Sequence, residues 1–461
     1  MAKIPLGLFL KENSGKSLLF LGRESLFTHQ EMQRFLKPYG IVITQNPEEN
    51  VVAVVEHHRL NPLEEDLSCE AYNRGLPLYK LSDFERLMSH EIEDDQLLMI
   101  LRLGNDQERV RRLIANEHIG DGLFLKLLEI YEWSEESDED SNEDRGVVMA
   151  TLRRFLDYKP NEEDLLYSSL TLKRLAVDTA DAGLLHALLS FPNYRFMQKG
   201  KQWIRLREVI ATNRAIDEAS IRKLLRFREE RVLFYLAANR SLPLEVLREL
   251  SERNLPDVDE ALASNPSIDD ALFVKLLDIG GSAAEILLHY QPVDMVRLEI
   301  ISRREIEAER YALLGGNRNL VPEVAAELIE KRDNRMLIEA LAANPALSGE
   351  ILRRLFDRGG EDLLPLLAGN RSLSSDLLEI IYEEHREKTD ILSALAGNTS
   401  TPESILRRLF ELECFEINEA LAANESLPLE LLNILKIDTR LRNALTSNRR
   451  FTDSITRTLG L

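Results

Sequence analysis

The sequence predicts a mainly α chain: an α-solenoid of helix-turn-helix repeats about 26 residues long over residues 213–461, preceded by a small α/β domain over residues 1–90. Three observations carry this. An asparagine recurs at Asn213, Asn239, Asn265, Asn317, Asn344, Asn370, Asn398, Asn424 and Asn448, most often 26 residues apart and otherwise 24, 27 or 28. The gap of 52 from Asn265 to Asn317 is two repeats with one anchor missing. A fixed apolar grammar surrounds each asparagine. The first 90 residues instead show short β-branched runs alternating with helical stretches.

In chain order, Ser17–Leu21 is an apolar run that reads as a strand. Residues 28–37 read as an amphipathic helix stopped by Pro38-Tyr39-Gly40. Residues 41–44 and Val51–Glu56 are β-branched runs bounded by turn residues. Residues 63–74 form the next helix, broken by Gly75-Leu76-Pro77. Residues 78–81 give a last strand, and a last helix opens with Ser82 as its N-cap. The order is β-α-β-β-α-β-α. That order resembles a BRCT domain, with Ala71-Tyr72-Asn73-Arg74-Gly75-Leu76-Pro77-Leu78-Tyr79 similar to its passage from second helix to fourth strand. Phe84 stands where that family often carries a tryptophan. The resemblance implies a docking module of the kind found in DNA-repair and replication proteins. Its phosphopeptide-binding members use a Ser/Thr and a Gly after the first strand and a Lys on the second helix. Here Gly22 is followed by Arg23 and no Lys lies in 63–74, so that activity does not carry over. A generic small α/β domain is the alternative.

Residues 91–133 read as helical and hold an outlying repeat copy at Asn116. Residues 134–145 read as an acidic disordered loop, because 135–144 contain seven acidic residues in ten, a run that repels itself. Its functional alternative is a lure for a basic partner. Residues 146–212 read as irregular helical repeats.

The regular repeats follow from helix physics. Three residues before the asparagine sits a leucine, as at Leu236, Leu262, Leu314, Leu341 and Leu367; two before sits a small residue such as Ala237, Gly315 or Ala342. The segment Ile338-Glu339-Ala340-Leu341-Ala342-Ala343 is built of good helix formers. Asparagine tolerates the left-handed conformation that ends helices. Four residues later Pro243, Pro402, Pro428, Ser348, Ser374, Asp217 or Asp269 suits a helix start. Apolar residues at +7, +8 and +11, as in Ile351, Leu352 and Leu355, share one helical face. One hairpin cannot bury that face alone, whereas stacked hairpins can. The small residue at −2 lets neighbouring helices approach. The asparagines are therefore read as architecture. The degenerate repeat at His289-Tyr290-Gln291-Pro292 replaces the missing anchor with bulky residues and is read as a bend, with a binding pocket as the alternative.

Segments such as Leu341-Ala342-Ala343-Asn344-Pro345-Ala346-Leu347 followed by Ile351-Leu352-Arg353-Arg354-Leu355 resemble the variant leucine-rich repeat. The resemblance covers about half the chain and implies a right-handed superhelix. The family's prototype carries an iron–sulfur cluster on clustered cysteines. This chain has only Cys69 and Cys414, so no cofactor is expected.

The chain of 461 residues is too long for one core. Its net charge of −21 opposes general attraction to nucleic acid or anionic lipid without excluding a local basic patch. Two cysteines fit a reducing compartment and exclude a disulfide framework. No apolar run reaches the roughly 20 residues of a membrane span. Residues 4–10 are too short for a signal peptide, and the cytoplasm is the expected location. No metalloprotease, P-loop, dinucleotide or nucleophile-elbow motif is present. His57-His58 are read as a strand end rather than a metal pair, and Cys414 as a packed thiol. The chain is thus read as a non-enzymatic scaffold for a protein partner, with a nucleic-acid-associated factor as the alternative.

Candidate contact residues form a basic ladder nine or ten after the asparagine: Arg222, Lys223, Arg248, Lys275, Arg353, Arg354, Arg407, Arg408 and Arg457. Stacked repeats would align them into a stripe that grips acidic peptides or phosphates. Glu218, Glu350, Glu403 and Asp453, each four residues before a ladder cation, give the opposing reading of a self-paired face. A second candidate patch is 195–231, with eleven Lys/Arg against five Asp/Glu and an included Trp203.

Overall fold

The computed structural model describes residues 4–22, 25–47, 50–91, 94–134, 142–156, 168–198, 202–304, 306–330 and 334–459. It divides into two compact units, Met1–Tyr235 and Leu236–Leu461. The chain is mainly helical, with a small parallel sheet near the N-terminus.

In the first unit the predicted order of strands and helices is present, preceded by an unforeseen helix, Leu6–Glu12. Strands β1 (Ser17–Leu21), β2 (Val42–Thr44), β3 (Val51–Glu56) and β4 (Leu78–Lys80) pair in the order β2-β1-β3-β4, all parallel. The helix His29–Leu36 starts in a capping box: Thr28 Oγ1 accepts from Glu31 N–H, and the Glu31 carboxylate accepts from Thr28 N–H. Asn61 and Glu64 repeat the device ahead of Pro62–Asn73. The last helix of the motif begins at Leu81, directly after β4. Ser82 therefore lies inside it rather than capping it. Phe84, from this helix, is fully buried with Phe20 and Phe35 edge-on to it at 5.0 and 5.7 Å.

The acidic run lies largely outside the described residues, but its end contradicts a loop through residue 145. A helix, Asn142–Phe155, begins within it. Asp144 is buried and accepts hydrogen bonds from the Tyr131 hydroxyl at 2.9 Å and from Ser134. Hydrogen bonds to the carboxylate offset the cost of burying it, so the chain can order here despite the run of like charges. Residues 146–212 are not wholly helical either. An antiparallel hairpin joins Arg195–Met197 to Trp203–Arg205, its inward residues Phe196 and Ile204 buried. Alternation over three residues is too short to register as a strand in the sequence.

The second unit is a run of helical hairpins. Their first helices, Pro256–Ser264, Gly281–Tyr290, Ala308–Gly316, Arg335–Ala343, Leu364–Gly369, Thr389–Gly397, Phe415–Ala423 and Arg442–Ser447, each contact the next in this order. Asn344 shows the joint. Its Nδ2 donates to the carbonyls of Gly315 at 2.8 Å and Asn317 at 2.9 Å, and its Oδ1 accepts from Ala346 N–H at 2.9 Å. Asn265, Asn370, Asn398, Asn424 and Asn448 likewise donate to the carbonyl of the preceding anchor and to that of the residue two before it. Asn317 uses the carbonyls of Leu288 and Gln291. In the first unit, Asn213 donates to the carbonyls of Ala176, Val177 and Thr179.

Two expectations about the anchors are corrected. The asparagines end their helices in an extended conformation, with φ −73° and ψ 112° at Asn344, not in the left-handed one. Extension carries the side chain across to the previous hairpin, where its bonds are made. The missing anchor is not missing: Gln291 Nε2 donates to Ala263 O at 2.8 Å and Asn265 O at 2.9 Å. Its carboxamide does the work of asparagine's.

The small residue at −2 is required as predicted. A Cβ on Gly315 would meet Ala340 Cβ at 2.7 Å and the Leu337 carbonyl at 2.7 Å. The second helices start where the sequence places them. Ser348, Asp269 and Asp217 accept from the N–H three residues on, and Pro243, Pro402 and Pro428 precede helices. Three residues after the anchor stands an apolar residue such as Leu242, Leu347 or Leu427, and Thr401, which replaces it after Asn398, is buried with its hydroxyl donating to Leu395 O at 2.7 Å. Among the described residues, no helix is long and apolar enough to cross a membrane.

Candidate functional site

The basic ladder is a run of internal ion pairs. In the first unit, Arg222 Nε lies 3.9 Å from Glu218. Lys223 is half-buried, and that burial holds its ammonium below the usual lysine range, with Glu129 opposing and Arg207 reinforcing the shift. In the second unit, Arg248 pairs with Asp269, the cap of the next repeat's second helix. Lys275 donates to Ser251 O at 2.9 Å and lies 2.8 Å from Glu252 of the preceding repeat. Arg354 lies 3.0 Å from Glu350. Arg407 joins Glu403 at 2.7 Å and also Glu430 of the next repeat. Arg408 reaches back to Glu383 at 2.8 Å and sits 5.9 Å from the Tyr382 ring centre. Lys223 and Arg353 have no ion pair among the described residues. The Arg457 side chain lies outside them. Each exposed pair is worth roughly 0–1 kcal/mol, yet together they neutralise the stripe.

A different row of cations is left unneutralised. The residue directly after the anchor is arginine at Arg240, Arg318, Arg371 and Arg449 in this unit; Arg449 opens a helix and lies 3.9 Å from Asp453, whereas the other three lie in turns and are exposed. None of these three guanidinium groups has a hydrogen bond or ion pair among the described residues, although the Arg240 and Arg371 carbonyls accept from Ser267 and Ser400. The reason is positional. In these three repeats the residue lies in the extended turn rather than on a helix, and no carboxylate stands at i±4 as Asp453 does for Arg449. The corresponding residues of the other repeats are Pro266, Pro292, Pro345 and Thr399, which are uncharged, and the acidic Glu425. Arg318 and Arg371 line one open groove of about 600 Å³, floored by Ala343, Pro345, Ala346, Gly369 and the buried Asn370. Sequence reasoning passed over this row because prolines interrupt it. The available signal was its fixed place, one residue after the anchor.

The first unit holds two lesser features. A cleft of about 590 Å³ opens at the carboxyl ends of β1, β3 and β4, lined by Ser25, Glu56, His57, His58, Lys80 and Arg112 among others. Ligands of open parallel sheets favour this edge. The carboxylates in it are already engaged: Glu56 accepts from Ser68 Oγ at 2.6 Å, and Glu85 from Ser25 Oγ and Leu26 N–H. His57 and His58 follow the end of β3 with ring centres 4.0 Å apart. The second feature lies in the basic 195–231 stretch, where the cross-strand pair Met197 and Trp203 is 53% and 52% exposed. Several cations of that stretch are committed: Arg207 to Glu229 at 2.5 Å and over the Phe227 ring at 3.7 Å, Arg231 to the buried Glu208 at 3.0 Å. Cys414 is not packed away. It is partly exposed, its thiol donating to Glu416 at 3.0 Å.

Against known proteins, no family model matches this chain, and no curated protein or solved structure does.

Proposed function

We propose that this chain is a non-enzymatic scaffold for a protein partner, with residues 236–461 forming a right-handed α-solenoid of the variant leucine-rich-repeat kind and residues 1–90 a BRCT-like docking module. The order of contacts between first helices supports the solenoid, and the parallel order β2-β1-β3-β4 supports the module. One observation carries the functional reading. The polar anchors are turned inward onto the preceding repeat, while the turn edge keeps an open groove lined by Arg318 and Arg371, whose guanidinium groups have no ion pair among the described residues. A structural edge would be expected to neutralise its charges, as the second helices do.

Affinity capture from native lysate tests the reading. A partner retained in fixed proportion after nuclease treatment is expected. A chain that recovers no protein, or recovers it only through nucleic acid, is not a protein scaffold. Charge reversal of Arg353, Arg354, Arg407 and Arg408 should leave recovery unchanged, because most of that ladder is neutralised internally.

The alternative, a nucleic-acid-associated factor, is favoured by exposed Trp203 within a locally basic stretch, since aromatic faces stack on bases. Retention on a single-stranded DNA column at low salt, lost on Trp203→Ala, would support it.

A further inference from the structure

We infer that the groove between Arg318 and Arg371 is the docking site for an extended acidic peptide segment of a partner protein. This rests on the scaffold reading and names the chemistry of its ligand. Two guanidinium groups line one groove without a carboxylate partner among the described residues. Such a fork binds a carboxylate through two parallel N–H donors. The floor contributes shape rather than hydrogen bonds. The Ala346 N–H is taken by Asn344 Oδ1, and the Pro345 carbonyl accepts from Ser372 Oγ at 2.6 Å. Ala343 and Pro345 add no polar side chain. A neutral strand therefore finds little to hold it, and recognition falls to the two cations.

Spacing defines the ligand further. Arg318 and Arg371 occupy the same place two repeats apart. Neighbouring packed helices are about 8–10 Å apart, so the two cations span roughly 16–20 Å. An extended chain rises about 3.3 Å per residue, which places the matching acids about five or six residues apart. Charge selects a peptide over a nucleic acid. A polyanion with a charge at every nucleotide would meet a protein of net charge −21, whereas a peptide carries its acids only where the arginines stand.

The test uses the full chain, panned against a random twelve-residue peptide library, with affinities of the selected peptides measured by fluorescence polarisation. Selected peptides should carry Asp or Glu pairs about five or six residues apart. Arg318→Glu/Arg371→Glu should weaken their binding tenfold or more without moving the thermal midpoint. Gly369→Phe should block binding with both arginines present, because a Cβ at Gly369 meets nothing within 4 Å and a larger side chain enters the open groove. Arg407→Glu/Arg408→Glu should bind as the unaltered chain does. Selection without acidic enrichment, or equal affinity in the Arg318/Arg371 and Gly369 variants, overturns the inference. So does a twenty-residue oligo-dT that displaces the peptides in an Arg318- and Arg371-dependent way. If lysate partners are still recovered in that case, the scaffold reading stands without the groove; if the unaltered chain recovers none, the scaffold reading itself falls.

Discussion

The carboxamide of Asn344 works at both ends, donating to two buried carbonyls of the previous hairpin and accepting from its own turn. Truncation to alanine leaves those two carbonyls without that partner, a loss of about 2–6 kcal/mol at about 1–3 kcal/mol per buried group. Chemical denaturation of Asn344→Ala should show that fall, whereas truncating the exposed Arg353 should move stability by less than about 0.5 kcal/mol. Asp259 is the contrary case. Burial pushes its carboxyl above the ordinary carboxylate range, with Lys275 opposing, and its Oδ1 has no hydrogen-bond partner among the described residues. A carboxyl whose folded pKa is raised stabilises the fold below its unfolded pKa, near 4, and that contribution is lost as pH rises through the folded value. Asp259→Asn should therefore raise the thermal midpoint at pH 7, and the gain should shrink as pH falls through the raised folded value and be gone below about 4. A gain that is unchanged at low pH would remove the protonation account.

At the scale of elements, the second helices were the most legible part. Capping residues and apolar positions repeat in register, and both act within one hairpin. Asp269 accepts from Leu272 N–H at 2.9 Å and also takes Arg248 from the repeat before. Asp269→Ala should cost about 1–2 kcal/mol through the cap, with Arg248→Ala adding little on top of it. What the sequence concealed were partners supplied by backbone. The acceptors of each asparagine are carbonyls of another hairpin, which carry no residue identity. Gln291 was misread for the same reason: the ladder was traced by residue name, although the amide is what repeats. The turn-edge arginines were visible as letters, but their lack of partners depends on which carboxylates lie across the turn. The Arg195–Met197 and Trp203–Arg205 hairpin is too brief to leave a period.

At the scale of the molecule, a unit tied chiefly to its neighbours should tolerate the loss of one member if the joint is preserved. Removing residues 345–370 brings Asn344 into the place of Asn370, so Asn398 still finds an anchor carbonyl two residues after an alanine carbonyl. This shortened chain should unfold cooperatively with a denaturant slope reduced in proportion to its lost surface. A deletion of twenty residues from the same place should give a chain that loses helical ellipticity beyond the segment removed. The joint also has a polarity. Each amide from Asn265 to Asn448 reaches toward the N-terminus, onto carbonyls of residues translated earlier. A hairpin leaving the ribosome therefore finds its acceptors already in place, and growth can proceed as a one-way ratchet. Threading from the other end would leave every new asparagine waiting for a neighbour not yet made.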